Sequence, residues 1–170
     1  MTIKAAIFDL DGTLVNIPIN YEALYEEFKK ITGIQNIEPI TKTVAKLNMA
    51  LKGKVFEAWT AAEFAILPKM TTVPDGLKLY QQYEVKARGL VTMQGNKTVE
   101  NLLKTLNLSF QAIVTREDSL DRTTQIRMVI EKLRLKPENV IVIGDRETDK
   151  TAAEKIGCKF KMVKSHASLV

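Results

Sequence analysis

Apolar and polar residues follow two different periods along the chain, and together they predict its secondary structure. Short apolar runs predict five buried strands at residues 3–8, 87–92, 110–114, 140–143 and 159–163. Apolar residues at helical spacing fill most of the intervals between these runs. Strands separated by helices predict an α/β fold, with a Rossmann-like parallel five-stranded sheet and helices on both of its faces.

The interval after the first strand departs from this alternation, because it predicts three helices in succession. The first is bounded by Asn20 as N-cap and Gly33, the second by Pro39 and Gly53, and the third runs from about Val55 to Pro68. Phe56, Trp59 and Phe64 recur at helical spacing in the third helix. This spacing favours a core belonging to the helices themselves over the lining of a substrate pocket.

Two of the predicted strands end in paired carboxylates. Asp9 and Asp11 follow the first strand in DLDGT, and Asp145 and Asp149 follow the strand 140–143 in GDRETD. A lone Asp-Leu-Asp-Gly is typical of a turn that caps a strand, but the carboxyl ends of parallel strands form the ligand-binding edge of such a sheet. Four carboxylates at one edge repel one another unless a hard divalent cation joins them, and oxygen ligands favour Mg²⁺ over zinc. The sequence therefore predicts a magnesium site there.

Together the two acidic strand ends resemble the haloacid dehalogenase-like superfamily of hydrolases. The first motif of that superfamily is an apolar strand followed by DxDGT, and its fourth is an apolar strand followed by GDxxxD; this chain carries both. The resemblance implies that residues 1–15 and 71–170 form an α/β phosphatase core. It also implies that residues 16–70 form a small helical cap over the active site.

The resemblance further implies a hydroxyl group at another strand end, which would bind the transferring phosphoryl group. Thr92 and Thr115 both end predicted strands. Thr115 lies too close in sequence to the basic residue at Arg122 for a helical crossover between parallel strands, which favours Thr92. The turn that begins at Met93 would then face the phosphate, with backbone N–H groups available to oxygen. Many relatives have Asn at the position of Met93.

A basic residue that neutralises the phosphoryl group is the remaining element that the resemblance implies. Arg122 matches its position, just ahead of the helix that leads to the fourth motif. The alternative is Lys136, which precedes the strand 140–143. Its side chain would lie at the opposite end of that strand from Asp145, so the sequence favours Arg122.

The resemblance implies a Mg²⁺-dependent phosphomonoester hydrolase for a small phosphorylated metabolite, similar to a phosphoglycolate phosphatase. Asp9 would attack phosphorus to form an aspartyl-phosphate, and Asp11 would protonate the leaving alcohol and then activate water. Asp9, Asp145, Asp149 and the backbone carbonyl of Asp11 would hold the metal. A phosphosugar mutase would share all of these motifs and stays open. A non-catalytic binding module is a further alternative, although such a role does not require four acids.

Composition limits the domain size, the partners and the location that we expect for this protein. The 170 residues, of which 45% are hydrophobic, suffice for a core with a modest insertion. The net charge of +5 comes from lysines scattered along predicted helices, so we expect no nucleic-acid partner. Cys158 is the only cysteine and is expected to be a buried thiol, and His166, the only histidine, a surface residue. No apolar run approaches the ~20 residues of a membrane span, so we expect no membrane partner and a cytoplasmic protein without a signal peptide.

Overall fold

The computed structural model describes residues 2–84 and 86–164, and within them strands and helices alternate as the sequence predicts. The strands are β1 (Ala5–Asp9), β2 (Val15–Asn16), β3 (Thr71–Thr72), β4 (Ala87–Val91), β5 (Ala112–Val114), β6 (Val140–Gly144) and β7 (Lys159–Met162). The helices are α1 (Tyr21–Thr32), α2 (Ile40–Ala45), α3 (Met49–Ile66), α4 (Pro74–Gln82), α5 (Asn96–Leu106), α6 (Arg122–Leu133) and α7 (Glu147–Ile156).

Five parallel strands form the main sheet, in the order β5-β4-β1-β6-β7. The first strand is therefore central, and its neighbours are β4 and β6. Asp9 pairs with Val91 of β4, and Phe8 pairs with Ile143 of β6. Because the strands are parallel and in this register, the residues that follow β1, β4 and β6 meet at one edge of the sheet.

Each face of the sheet is covered by a pair of helices, which confirms the predicted three-layer α/β fold. On one face Phe8 packs with residues of α4 and α5, including Tyr80 and Leu102. On the other face Ile7 packs with residues of α6 and α7, including Ile126 and Ala153. The near-continuous apolar sequence of β1 follows from this arrangement, since a strand covered on both faces has no side that requires polar residues.

The insertion, residues 16–70, has a hydrophobic cluster of its own. Its buried members are Leu24, Phe28, Ile37, Val44, Val55 and Trp59. Phe28 and Trp59 are in tilted ring contact, with centroids 5.7 Å apart. The chain enters and leaves the insertion through a two-stranded antiparallel pair, in which Val15 pairs with Thr72 and Asn16 with Thr71. The sequence did not predict this two-stranded ribbon, because strands of two residues are too short to show a hydrophobic period.

The boundary between the second and third predicted helices was wrong. Gly53 does not end a helix but lies inside α3, which begins after Asn48 because the Asn48 side chain accepts a hydrogen bond from the Leu51 N–H at 2.9 Å. A glycine inside a helix costs about 1 kcal/mol relative to alanine, and burial of apolar side chains of the same helix outweighs that cost.

The prediction for the aromatic residues of α3 held for Trp59 but not for Phe64. Trp59 is buried in the cluster of the insertion, whereas the Phe64 side chain is 41% exposed. Cys158 is buried, as predicted, and burial raises the pKa of its thiol to about 11. The prediction for His166 falls outside the described residues. Within residues 2–84 and 86–164, no helix combines the length and apolarity that a bilayer crossing requires.

Candidate active site

The turn after β1 brings the first acidic pair against the second. Asp9 is the last residue of β1, and the chain then folds back so tightly that the N–H of Leu14 donates to the carbonyl of Leu10 at 2.9 Å. Gly12 adopts a left-handed backbone conformation with φ of 85°. A Cβ atom at Gly12 would lie 2.1 Å from Oδ2 of Asp145, so only glycine permits this approach.

Three carboxylates converge at this point. One oxygen atom from each of Asp9, Asp145 and Asp149 lies within 4.8 Å of the others. The hydroxyl of Thr13 links two of them, at 3.4 Å from Oδ2 of Asp9 and 3.5 Å from Oδ1 of Asp145. The carboxylate of Asp11 lies outside this group and accepts a hydrogen bond from the N–H of Ile17 at 2.8 Å.

The protonation of these acids reflects their burial. Burial raises the pKa of Asp9 to about 7; Arg122 opposes this rise, and the negative charges of Asp149 and Asp145 add to it. Burial likewise raises the pKa of Asp145. Desolvation is the main cause of both shifts, and the neighbouring carboxylates add to it. A hard divalent cation bound by these oxygens would offset both the desolvation and the mutual repulsion of the carboxylates, so the residues present fit Mg²⁺.

Asp11 has a different environment. Burial raises the pKa of Asp11 to about 6, although the hydrogen bond from the Ile17 N–H acts in the opposite direction. A carboxyl group with a pKa near the operating pH can both donate and accept a proton. The structure therefore gives Asp11 a property suited to acid–base chemistry.

Arg122 joins three separate groups at the site. Its Nη2 lies 2.8 Å from Oδ1 of Asp9, and its Nε lies 3.0 Å from Oδ1 of Asp149. Its Nη1 donates to Oε1 of Gln125 at 3.0 Å. Lys136, the alternative cation, precedes β6 and so lies at the amino end of the sheet, away from the acids.

Gln125 is a buried residue that the sequence analysis missed. Its Nε2 donates to the backbone carbonyls of Thr92 and Ser119, at 2.8 Å in each case. Because its Oε1 accepts from Arg122, this one amide connects the arginine to the end of β4. A glutamine beside Ile126 in a helical pattern carries no signal of such a role, because the partners are distant in sequence.

The two candidate threonines lie at different distances from β1. Thr92 follows β4, which pairs directly with β1, whereas Thr115 follows the edge strand β5. The Thr92 hydroxyl donates to Oε1 of Gln94 and accepts from the Gln94 N–H at 3.1 Å. The Thr115 hydroxyl bonds instead to Oδ1 of Asn96 at 2.6 Å.

The turn after Thr92 differs from expectation in one respect. The N–H of Gly95 donates to Oε2 of Glu63, a residue of α3 in the insertion, at 3.3 Å. The Gln94 N–H donates to the Thr92 hydroxyl, so the protein itself already occupies two of the backbone donors of this turn, those of Gln94 and Gly95. Local sequence could not reveal this, because Glu63 comes from a distant helix.

A cavity of about 930 Å³ opens between the Arg122–Asp149 pair and the insertion. The core lines it with Met93, Arg122 and Asp149, and the insertion contributes Tyr25 and the first residues of α2. A smaller cavity of about 550 Å³ adjoins it, and Met93 and Arg146 line both. Burial lowers the pKa of Arg146, but the charges of Asp9 and Asp145 outweigh this and raise it overall.

The sheet is parallel, two of its strands end in acidic pairs, and a helical insertion bounds the cavity beside them. This combination is typical of one class of hydrolases. The chain belongs to one family of that class, the haloacid dehalogenase-like hydrolases, whose family model matches residues 6–163. This match confirms the resemblance that the two motifs indicated, and with it the expectation that the chain is an enzyme.

Individual relatives agree with this assignment. The chain is 27% identical over 175 residues to a phosphoglycolate phosphatase of Aquifex aeolicus, covering 92% of this chain and 82% of the relative. A hydrolase from Pseudomonas syringae has the same fold, with a TM-score of 0.72 at 20% identity over 95% of this chain and 85% of that one. A family enzyme from Bacteroides thetaiotaomicron, solved with magnesium and inorganic phosphate, matches with a TM-score of 0.62 at 17% identity over 98% and 97%.

Proposed function

We propose that this protein is a Mg²⁺-dependent phosphomonoester hydrolase that acts on a small phosphorylated metabolite through an aspartyl-phosphate intermediate. The observation that carries the proposal is the convergence of the carboxylates of Asp9, Asp145 and Asp149, with the guanidinium of Arg122 bonded to the first and last of them. The negative charge of a transferring phosphoryl group requires neutralisation on several sides. Arg122 and a metal ion held by the three acids would provide that neutralisation at the edge of the cavity.

Asp9 is the proposed nucleophile. Its carboxylate oxygen would attack phosphorus while the bond from phosphorus to the leaving oxygen breaks, which yields an acyl phosphate. Arg122 supports this role because its guanidinium already lies 2.8 Å from the attacking carboxylate. The same cation would hold a phosphoryl oxygen during in-line transfer.

Asp11 is the proposed acid and base. It would give its proton to the leaving oxygen in the first step. In the second step it would take a proton from water as water attacks phosphorus, so that the bond to Asp9 breaks and inorganic phosphate leaves. The pKa of about 6 allows both protonation states near neutral pH.

The carboxylates of Asp9, Asp145 and Asp149, with the backbone carbonyl of Asp11, are the proposed Mg²⁺ ligands. When bound, Mg²⁺ supplies Lewis-acid stabilisation of the phosphoryl charge and offsets the repulsion between carboxylate and phosphate. The presence of magnesium in the structure of the Bacteroides thetaiotaomicron enzyme supports this choice of ion.

Thr92 and Met93 are the proposed phosphate-binding residues of β4. Thr92 lies at the end of the strand beside Asp9, and its hydroxyl is bonded only within its own turn, to Gln94, among the described residues. Rotation of that hydroxyl would let it donate to a phosphoryl oxygen. The contribution of Met93 would come from its backbone, because its side chain lines the cavity beside Arg122 as an apolar surface.

The substrate class follows from the size and charge of the cavity. A volume of about 930 Å³ exceeds the needs of inorganic phosphate and suits a small metabolite. Arg146 also lines the cavity and is suited to a substrate whose leaving alcohol carries an anionic group such as a carboxylate. Phosphoglycolate has that chemistry, in keeping with the name of the Aquifex aeolicus relative. Residues 16–70 would act as a cap that closes the cavity, with residues 1–15 and 71–170 as the core.

A phosphatase screen with Mg²⁺ tests the proposal. The panel would pair 2-phosphoglycolate with ethyl phosphate, which lacks the carboxylate, and would add phosphosugars, nucleotides and phosphoamino acids. We expect release of inorganic phosphate, none in excess chelator, and a preference for the carboxylated member of the pair. Absence of release from every substrate by well-folded protein would contradict the proposal. Isomerisation of a phosphosugar without net release would assign the mutase reaction instead.

A further inference from the structure

Glu63 and Arg116 form an ion pair that connects the insertion to the core. Both side chains are fully buried, and Nη1 of Arg116 bonds to Oε1 of Glu63. Glu63 belongs to α3, whereas Arg116 follows β5, so the pair joins residues that are 53 positions apart in the chain. Neither residue belongs to the group of acids around Asp9.

The two terminal nitrogens of Arg116 donate on both sides of this junction. Toward the core, its Nη1 donates to the carbonyl of Met93 at 3.1 Å. Toward the insertion, its Nη2 donates to Oγ1 of Thr60 at 2.6 Å and to the carbonyl of Phe56 at 3.3 Å. The guanidinium also lies 4.7 Å from the ring centroid of Trp59, a favourable cation–π distance.

Glu63 completes the junction from the other side. Its Oε2 accepts from the N–H of Gly95 at 3.3 Å and from the hydroxyl of Thr98 at 2.5 Å. A Cβ atom at Gly95 would lie only 2.6 Å from Nη2 of Arg116, so the backbone there is in direct contact with the guanidinium. The turn of residues 93–95 is thus held at its first residue by Arg116 and at its last by Glu63.

Stability alone does not account for this arrangement. Desolvation of two charges opposes folding, and apolar residues of similar volume often replace a buried ion pair with no loss of stability. What an apolar pair cannot reproduce is the set of directed hydrogen bonds to Met93 and Gly95. Those bonds fix the backbone of the turn that follows Thr92.

We propose that Arg116, held by Glu63, is a positioning residue that sets the turn of residues 93–95 against the phosphoryl group, so that α3 acts as a fixed support of the active site. This inference rests on the proposed function, because the turn matters for rate only if Thr92 and Met93 contact a phosphoryl group. The insertion would then support catalysis by holding the turn of residues 93–95, in addition to covering the cavity.

A double variant tests the inference. In Glu63→Leu with Arg116→Met, both charges leave together, so no unpaired buried charge remains to unfold the protein. Loss of the ion pair itself is commonly neutral, but the swap also leaves the Gly95 N–H and the Met93 carbonyl without their partners, so we expect a lowered melting temperature in a protein that still folds. We also expect a loss of about tenfold or more in kcat/KM, the effect of about 1.4 kcal/mol in transition-state binding. The loss should appear mainly in kcat. Lys29→Met, which removes an exposed pair with Glu26, is the matched control and should be silent.

Two results would overturn the inference. One is a stable double variant with kcat/KM within twofold of the wild type; the other is a loss confined to KM, which would make the pair a substrate-binding element. If the double variant is unstable, Thr60→Val provides the second measurement, because it removes one bond of Arg116 and should lower kcat by a smaller factor without unfolding. An unchanged kcat there would also count against a positioning role.

Hydrogen exchange separates this inference from the proposed function, because it does not require activity. The amide of Gly95 should exchange slowly in the wild type and at least about tenfold faster in the double variant, since it loses a buried acceptor. Equal exchange of Gly95 in both proteins would overturn the inference whatever the substrate. If the wild-type protein hydrolyses no phosphomonoester but its Gly95 amide still exchanges slowly, and faster in the double variant, the proposed function is refuted and the positioning of the turn stands.

Discussion

The guanidinium of Arg122 lies 2.8 Å from the carboxylate of Asp9, although 113 positions separate the two residues in the chain. The same guanidinium also contacts Asp149 at 3.0 Å. One cation therefore serves both the proposed nucleophile and a proposed metal ligand. In the proposed reaction a phosphoryl dianion enters between these groups, so Arg122 would pass from holding carboxylates to holding phosphoryl oxygen.

Replacing Asp9 with Asn should abolish turnover and preserve the fold. The amide is a poor nucleophile, whereas the loss of a buried charge whose pKa is raised to about 7 favours the folded state. Phosphate release and thermal unfolding of the metal-free protein measure the two effects. Retention of more than a few per cent of wild-type kcat by a folded variant would contradict the nucleophile assignment.

Arg122→Ala and Lys136→Ala distinguish the two candidate cations. We expect a loss of about 10²–10³ in kcat for Arg122→Ala, the usual effect of removing one donor to developing negative charge. Lys136 lies at the other end of β6, so its variant should remain close to wild type. Steady-state kinetics on one phosphomonoester suffices for the comparison, and a sensitive Lys136 would mean that the phosphate site is elsewhere.

Thr92→Val and Thr115→Val form a second internal comparison. Loss of a hydrogen bond to a charged phosphoryl oxygen costs roughly 1.5–3 kcal/mol, or about 10- to 150-fold in rate, and we expect this for Thr92. The Thr115 hydroxyl bonds to Asn96, the first residue of α5, and to Glu117, so its variant should lose stability rather than activity. The reverse pattern in kcat/KM would show that the wrong strand was chosen.

Gln125→Leu should affect stability and rate together. It leaves the buried carbonyls of Thr92 and Ser119 without a donor, a cost of about 1–3 kcal/mol in the free energy of unfolding. It also frees Arg122 on one side, so kcat should fall as well. Arg127→Ala, an exposed change on the same helix, is the control for urea unfolding and kinetics. Normal kcat in a destabilised Gln125 variant would limit this residue to a structural role.

The stability of the metal-free protein should fall as the pH rises from about 4 to about 7. The pKa of Asp9 is about 7 in the folded state against an ordinary value of 3.8, so between these values the folded state binds more protons than the unfolded state. Stability is then highest at low pH within this window and is lost as pH passes through the folded pKa. Urea unfolding in chelator at pH 5.5 and 8 measures the effect.

Mg²⁺ should reverse that trend, because metal binding requires deprotonated carboxylates and so strengthens as the pH rises. The stabilisation by Mg²⁺ at pH 8 should therefore exceed that at pH 5.5, and Asp145→Ala should reduce it at both. Equal stabilisation at the two pH values would contradict the view that raised carboxylate pKa values compete with the metal.

The sequence could predict the sheet and the acids because both depend on local signals. A run such as that before Asp9 identifies a buried strand within a few residues, and parallel topology then brings it beside the strand that precedes Asp145. Burial of Cys158 followed in the same way from its apolar surroundings. These features required no knowledge of which helix faces meet.

The features that escaped prediction depend on contacts between distant segments. Glu63 and Arg116 look like ordinary charged residues of a helix and a loop, and only the packing of the insertion on the core buries both. Gln125 resembles a surface residue of α6 until the end of β4 is placed beside it. Gly53 shows the opposite error, because a strong local stop signal was overridden by the capping side chain of Asn48 and by packing.

The two-stranded ribbon of β2 and β3 brings the beginning and the end of the insertion to neighbouring points. Because Val15 pairs with Thr72, the two chain ends of residues 16–70 lie side by side. A segment anchored in this way can change in length or be exchanged for another over evolutionary time without displacing β1 or β4. The residues at the carboxyl edge of the sheet can thus be inherited unchanged. New substrate ranges can arise by replacement of the insertion that the two-stranded ribbon encloses.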